Sequence, residues 1–121
     1  MSGVSTAYTN FERDAINALL ARDDDVCREL RLQVDSSYVT QRVHTGVGMY
    51  VHIQTDISLN AYAGNETLRF QNVEATIAGL KYGAGFILWV ENGKLSCLEV
   101  FTYQEELPKD IISYAIHRIA T

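Results

Sequence analysis

Tyr82–Pro108 reads YGAGFILWVENGKLSCLEVFTYQEELP and contains the clearest β-hairpin signal in the chain. Two apolar runs, Phe86–Val90 and Leu95–Phe101, flank the dipeptide Asn92-Gly93. Asn-Gly adopts the positive φ angles of a type I′ turn, and the twist of this turn matches that of two paired strands. We therefore predict a hairpin that turns at Asn92-Gly93 and lies inside a sheet.

A two-residue turn also predicts which residues of the hairpin lie opposite each other. With Glu91 opposite Lys94 and regular pairing beyond them, Phe86 would lie opposite Glu99. One predicted face then carries Phe86, Leu88, Val90, Leu95 and Cys97, and the other carries Ile87, Trp89, Leu98 and Val100. Because both faces are apolar, the hairpin is either covered on both sides or presents one apolar face to a partner.

The segment before the sheet predicts two helices. Thr9 and Glu12 have the spacing of a capping box at the start of the first helix. Apolar residues then follow at helical spacing, namely Phe11, Ala15, Ile16, Leu19 and Leu20. The second helix is predicted from Val26 to about Val34, with Asp23–Asp25 as its cap and first turn. These adjacent carboxylates lack the alternation and the glycine of a calcium-binding loop.

Further strands are predicted on both sides of the hairpin. They are Tyr38–Val43, Met49–Thr55, Leu68–Ile77 with an interruption near Gln71-Asn72, and Ser113–Ile119, for which a strand is favoured over a helix end. The predicted fold class is α+β, with two N-terminal helices packed on a mostly antiparallel sheet of five or six strands. Residues 1–121 are predicted to form a single domain, in which residues 1–8 are a flexible tail and Asp56–Glu66 is a surface loop.

Composition narrows the classes of partner. The 121 residues include 10 Lys and Arg against 15 Asp and Glu, which gives a formal net charge of −5. This balance argues against a nucleic-acid partner, since phosphate contacts need a basic surface, and it is compatible with a basic protein partner. The N-terminus has no signal-peptide pattern and no apolar run has membrane length, so we expect a cytoplasmic protein without membrane contact.

The sequence contains no catalytic, cofactor or metal-binding signature. Gly83-Ala84-Gly85 leads into a strand and lacks the third glycine and the helix of a dinucleotide site. His44, His52 and His117 show no metal-ligand spacing. Cys27 and Cys97 are predicted to be buried free thiols, which are usually inert. We therefore predict no catalytic residue, no cofactor and no metal, and we do not favour an enzyme.

Glu99 is the titratable residue that folding alone explains least, because the predicted register turns it inward beside Phe86. It would act there as a general acid or base, or as an anchor in a cluster with Arg42, His44 or His52. The alternative is a strand-end carboxylate that reaches solvent. Exposed tyrosines beside acidic groups are typical of protein recognition, although an ordinary sheet surface has them too. The predicted binding residues are Glu99, Tyr103, Glu105, Glu106, Tyr50 and His52.

Several short motifs follow one another along the chain. They are Thr45–Gly48 (TGVG), Gly79–Phe86 (GLKYGAGF), Asn92-Gly93, Leu98-Glu99 and Thr102–Pro108 (TYQEELP). In this order they resemble a family of small uncharacterised bacterial proteins with TGVG, GLxxGAGF, an N/D-G turn, LE and TYxExxP. The resemblance spans roughly Phe11–Pro108. It implies a bacterial cytoplasmic α+β domain and no established activity.

Three functions are compatible with these observations. The leading prediction is a non-enzymatic protein-binding module, in its most concrete form an immunity- or antitoxin-like protein that masks a basic partner with acidic residues and tyrosines. The alternative is a small-ligand-binding or enzymatic domain with a pocket around Glu99. The third is a homodimer in which two sheet faces pair.

Overall fold

The computed structural model describes residues 7–55 and 66–119. The elements in chain order are α1 (Asn10–Leu19), α2 (Asp25–Val34), β1 (Tyr38–His44), β2 (Gly48–Gln54), β3 (Leu68–Phe70), β4 (Val73–Ile77), β5 (Ala84–Glu91), β6 (Lys94–Thr102) and β7 (Tyr114–Arg118). The sheet has the strand order β1-β2-β6-β5-β4-β7, and β3 pairs with β5 beside β4. Every pair is antiparallel, so the predicted α+β class and the central position of the hairpin are confirmed.

The described residues contain seven strands rather than five or six. The predicted strand Leu68–Ile77 is divided into β3 and β4, because Asn72 has a left-handed φ of 80° that interrupts the extended chain. The strand favoured for Ser113–Ile119 is confirmed as β7, which pairs with β4 at the edge of the sheet.

Both helices begin at the predicted caps. The Thr9 side chain accepts a hydrogen bond from the Glu12 amide, and the Glu12 carboxylate accepts one from the Thr9 amide, which completes the capping box. The Asp24 carboxylate accepts from the amide of Cys27 at 2.8 Å and caps α2. Neither helix in the described ranges has the length and apolar character needed to cross a bilayer.

The core lies between the two helices and one face of the sheet. α1 packs on β4, β5 and β7, while α2 packs on β6. The ring of Phe11 on α1 lies 5.4 Å from that of Phe86 and 5.1 Å from that of Tyr114, measured between centroids. The largest fully buried apolar side chains are Phe86, Ile16, Leu20, Leu30, Ile77, Leu88, Leu95, Leu98, Val39 and Val51.

The hairpin turn forms as predicted, but the pairing register of the strands beyond the turn differs from the prediction. Asn92 and Gly93 have φ angles of 53° and 77°, as a type I′ turn requires. Val90 lies opposite Leu95, whereas Trp89 lies opposite Cys97. Ser96 is therefore an extra residue on β6, a β-bulge, and every later pair is displaced by one residue from the prediction.

Core packing explains this bulge. Leu95 and Leu98 are three residues apart, and a regular strand would turn them to opposite faces. The bulge turns both into the core, where Val100 joins them. It also moves Cys97 and Glu99 to the other face, so the predicted inward position of Glu99 beside Phe86 is wrong.

Two predicted flexible or loop segments fall mostly outside the described ranges. Residues 1–6 of the predicted tail and residues 56–65 of the predicted surface loop are among the residues the structure does not describe. Tyr8, the last residue of the predicted tail, is buried, and its hydroxyl lies 2.6 Å from the Ser37 hydroxyl. The prediction is therefore wrong for Tyr8, because this ring packs into the core.

Candidate functional site

The sheet face turned away from α1 and α2 carries a continuous group of aromatic, apolar and acidic side chains. We call it the open face, since no helix among residues 7–55 and 66–119 packs on it. Its central residues are Tyr50 and His52 on β2, Ile87 and Trp89 on β5, and Cys97, Glu99 and Phe101 on β6. Tyr50 is 38 % exposed, whereas Ile87 and Trp89 are half-buried by their neighbours.

The structure brings several of the predicted binding residues together on the open face. In the β2–β6 pairing, Tyr50 lies opposite Glu99 and His52 lies opposite Cys97. Tyr103 follows the end of β6, and its ring meets that of Phe101 edge-on with 5.8 Å between centroids. Four of the six predicted residues therefore belong to this one surface.

The Glu99 carboxylate is held by the only tryptophan of the chain. The indole Nε1 of Trp89 donates a hydrogen bond to Oε1 of Glu99 at 3.2 Å. Oε2 of Glu99 accepts no hydrogen bond from any residue of the described ranges. The second oxygen is therefore available to a donor from outside the chain, beside an aromatic surface that excludes part of the water.

Phe101 places its ring over Gly85, where the absence of a side chain leaves room for it. It pairs with Gly48 on β2 and with Gly85 on β5. A Cβ atom on Gly85 would stand only 2.4 Å from Cζ of Phe101, so this position has room for the ring only as glycine. The glycine before the hairpin thus shapes the aromatic part of the open face.

Carboxylates outnumber cations on this face. Glu74 lies opposite Gly85, which pairs with Phe101, and Glu91 follows Trp89 at the next outward position. The guanidinium of Arg69 lies 5.8 Å from the centre of the Trp89 ring. Glu74 accepts a hydrogen bond from the Tyr103 hydroxyl at 2.8 Å, and this bond raises the pKa of Tyr103. With Lys94 opposite Glu91 and Arg69 beside Trp89, the open face carries the carboxylates of Glu74, Glu91 and Glu99 and two cations around an aromatic centre.

Cys97 and His52 lie side by side, but their arrangement does not support nucleophilic catalysis. Burial, followed by the nearby charge of Glu99, raises the pKa of the Cys97 thiol to about 11. The thiolate is the nucleophilic form, and at neutral pH this thiol stays protonated. His52 forms no hydrogen bond with Cys97 in the described structure, so the general base that a nucleophile needs is missing.

We expect Cys97 in the folded protein to react with iodoacetamide at pH 8 at least about a hundredfold more slowly than in the urea-unfolded chain, whose thiol has a pKa near 8.5. Peptide mass mapping after timed alkylation separates Cys97 from Cys27, which is also buried. Comparable rates in the folded and unfolded states would contradict the burial of this thiol.

Glu105 and Glu106, the remaining predicted binding residues, differ in their contacts. The Glu105 carboxylate accepts hydrogen bonds from the amides of Lys81 and Tyr82 at 2.8 and 2.9 Å. It therefore fixes the segment before β5 rather than joining the cluster around Glu99. Glu106 is exposed and bonds to no residue of the described ranges.

The contacts of Glu105 predict a pH dependence of stability. The two amide donors lower the pKa of the Glu105 carboxyl from its ordinary value of 4.5, so its contribution is complete above that value and is lost as pH falls through the lower, folded-state pKa. We expect Glu105→Gln to be less stable than the wild type at neutral pH, and this difference to shrink between about pH 5.5 and pH 3.

Urea unfolding across this pH range measures the effect. Glu106→Gln is the matched control, since it removes a neighbouring carboxylate without a bonded partner. If the difference in unfolding free energy between the wild type and Glu105→Gln stays constant down to pH 3, the carboxylate charge contributes nothing to stability.

A second cleft, of about 300 Å³, lies on the helix side of the sheet and includes Arg42 and His44. Two carboxylates line it, the exposed Asp110 and Glu12, which is only 1 % exposed. Nε and Nη2 of Arg42 donate to Oε2 and Oε1 of Glu12, each at 2.8 Å. Sequence reasoning grouped Arg42 and His44 with Glu99, which lies on the other face. The sequence does not point to Glu12 as an ion-pair partner, because its spacing from Thr9 already explains it as a capping residue.

The fold and the site define an α+β domain with one helix-covered and one open sheet face. Compared with models of protein families, with curated proteins and with solved structures, the chain gives no match. The resemblance to small bacterial proteins with the TGVG and TYxExxP motifs therefore stays a prediction. Within residues 7–55 and 66–119, no group of three or more His, Cys, Asp or Glu side chains is arranged to hold a metal ion.

Proposed function

We propose that this chain is a non-enzymatic protein-binding module that recognises a basic protein through its open face. The observation that carries the proposal is an uncovered sheet surface on which half-buried Ile87, Trp89 and Phe101 adjoin the carboxylate of Glu99. Binding energy at protein interfaces concentrates in aromatic residues near the centre of the patch, and the polar rim supplies specificity. The open face has this composition.

The charge of the open face supports a basic partner rather than an acidic one. Glu74, Glu91 and Glu99 stand around its aromatic centre, and the chain as a whole carries a formal net charge of −5. Complementary charge raises association rates and suppresses wrong partners. The most concrete form of the proposal is an immunity- or antitoxin-like bacterial protein that masks a basic partner in the cytoplasm.

Affinity capture from a lysate of the source organism, with identification by mass spectrometry, tests this function. We expect the wild type to retain a basic protein whose recovery falls with added salt, and Glu99→Lys to lower that recovery at least about tenfold. Glu29→Lys is the matched control, because Glu29 is exposed on α2, on the helix side of the sheet. Calorimetry with the purified partner then compares the dissociation constants of the wild type and Glu99→Lys. Equal recovery by Glu99→Lys and the wild type would contradict the proposal.

A homodimer through the open face is the second candidate, and the apolar side chains of Ile87 and Trp89 favour it. A two-fold contact would bring the acidic residues of one copy towards those of the other, which opposes pairing. We therefore expect sedimentation at micromolar concentrations to show a monomer. A dimer that Tyr50→Ala dissociates, with Leu32→Ala on α2 as the exposed control, would favour the homodimer instead.

A further inference from the structure

A polar cleft of about 300 Å³ lies where the end of α1, the bend between β3 and β4, and the end of β7 meet. Its polar lining consists of Arg22, Arg69, Arg118, Gln71 and Asn72. No Asp or Glu is among the described residues that line it. The grouped arginines make the cleft positive, whereas the chain as a whole is negative, with 15 acidic and 10 basic residues.

The positive charge of this cleft is largely uncompensated. Arg118 forms no ion pair with any residue in the ranges 7–55 and 66–119. Arg22 contacts Asp24 through Nε at 3.1 Å, but the Asp24 carboxylate also caps α2. Arg69 stands at the rim, with its guanidinium over the Trp89 ring. Guanidinium N–H donors therefore remain for a ligand.

The end of α1 would ordinarily oppose an anion here, because the last carbonyls of a helix carry partial negative charge. Arg31 places a positive charge beside this helix end and offsets part of that opposition. Its Nη1 donates to the carbonyl of Leu20 and, at 2.8 Å, to the carbonyl of Arg22. A further cation thus neutralises the carbonyls beside the cleft.

The opposite wall of the cleft is held in place by the backbone. Asn72 keeps its left-handed φ of 80°, and its carbonyl accepts a hydrogen bond from the Ile119 amide at 2.8 Å. This bond joins the β3–β4 bend to the end of β7, next to Arg118.

We propose that this cleft binds the phosphate group of a small molecule. Guanidinium groups match phosphate oxygens in geometry and charge, and a phosphate monoester carries close to two negative charges for the arginines to meet. The amides of Gln71 and Asn72 supply neutral donors, and the volume is at the lower end of small-ligand sites. The cleft shares only Arg69 with the open face, where its guanidinium lies over the Trp89 ring, and the phosphate site does not depend on the proposed function.

Titration of the full chain with inorganic phosphate and with a nucleoside monophosphate, at constant ionic strength, tests the proposal. We expect saturable changes in the ¹H–¹⁵N spectrum at Asn72 and Arg118. Arg118→Gln is expected to weaken binding about tenfold or more, since a charge-assisted hydrogen bond is lost. Arg28→Gln is the control, because Arg28 is exposed on α2 and pairs with Asp23 and Asp25.

Each outcome decides for or against the phosphate site. Saturable binding of either phosphate compound that Arg118→Gln weakens supports it, and tighter binding of the nucleoside monophosphate identifies an organic phosphate as the source. Arg22→Gln provides a second test if Arg118→Gln alters the folded spectrum. The proposal is overturned by a lack of saturation with both compounds, by unchanged binding in the arginine variants, or by equally tight binding of succinate. Tyr50→Ala should leave phosphate binding unchanged, because Tyr50 lies on β2 and does not line the cleft, and this separates the test from that of the open face.

Discussion

Replacing Arg42 with Met is expected to lower the free energy of unfolding by about 3–5 kcal/mol. Arg42 holds the Glu12 carboxylate with two hydrogen bonds of 2.8 Å, and Glu12 is 1 % exposed. Without the guanidinium, the buried Glu12 carboxylate accepts a hydrogen bond only from the Thr9 amide among the residues that the structure describes. Removing one partner of a buried ion pair costs more than the pair contributes, because the other charge is left in a medium of low polarity. Urea unfolding followed by circular dichroism measures the loss.

Two further variants separate charge burial from the loss of an arginine as such. Arg13→Met removes an exposed ion pair with Asp35, whose atoms are 3.5 Å apart, and should change stability by about 0.5 kcal/mol or less. Glu12→Gln should cost less than Arg42→Met, since Gln still accepts from the Thr9 amide and the Arg42 side chain, 21 % exposed, can reach water. A loss for Arg42→Met no larger than that for Arg13→Met would refute the buried-pair interpretation.

Gln33→Leu is expected to cost about 2–4 kcal/mol, because it leaves two backbone groups of the central hairpin without partners. The Gln33 amide donates to the Gly93 carbonyl at 2.7 Å, and its oxygen accepts from the Leu95 amide at 3.1 Å. β2 pairs with β6 only from Cys97 onward, so no strand within residues 7–55 and 66–119 bonds Leu95 from that side. Gln33 on α2 takes the place of the missing strand.

Hydrogen exchange gives this prediction a local readout. The Leu95 amide should exchange markedly faster in Gln33→Leu, in addition to the loss seen by urea unfolding. Gln41→Leu is the control, because Gln41 is exposed on β1 and its side chain bonds to no described residue. Unchanged protection of the Leu95 amide in Gln33→Leu would show that this hydrogen bond does not support the hairpin.

The sequence predicts several residues of the candidate site, but it does not predict which side chains surround Glu99. Tyr50 and His52 lie on one face of β2 because strand side chains alternate, and that alternation is visible in the sequence. The neighbourhood of Glu99 was mispredicted, since regular pairing was assumed after the turn. The spacing of Leu95 and Leu98 was the available signal for a bulge, because a regular strand cannot bury both.

The sequence determines the local parts of this fold. The Thr9–Glu12 capping box, the Asp24 cap, the Asn92-Gly93 turn and the alternation along β2 each depend on neighbouring residues, so their interactions form without reference to the rest of the chain. These interactions predict both helices, the hairpin and β2, whereas the division of Leu68–Ile77 into β3 and β4 does not follow from them.

Tertiary structure decides which surface each functional group occupies. Glu12 meets Arg42 across 30 residues, Gln33 meets Leu95 across 62, and the Ser96 bulge depends on what the helices bury. Such contacts arise when elements that are distant in sequence pack together, and propensity or spacing within one element cannot predict them. The open face exists for the same reason, because two helices cover one side of the sheet and leave Trp89 and Glu99 on the other.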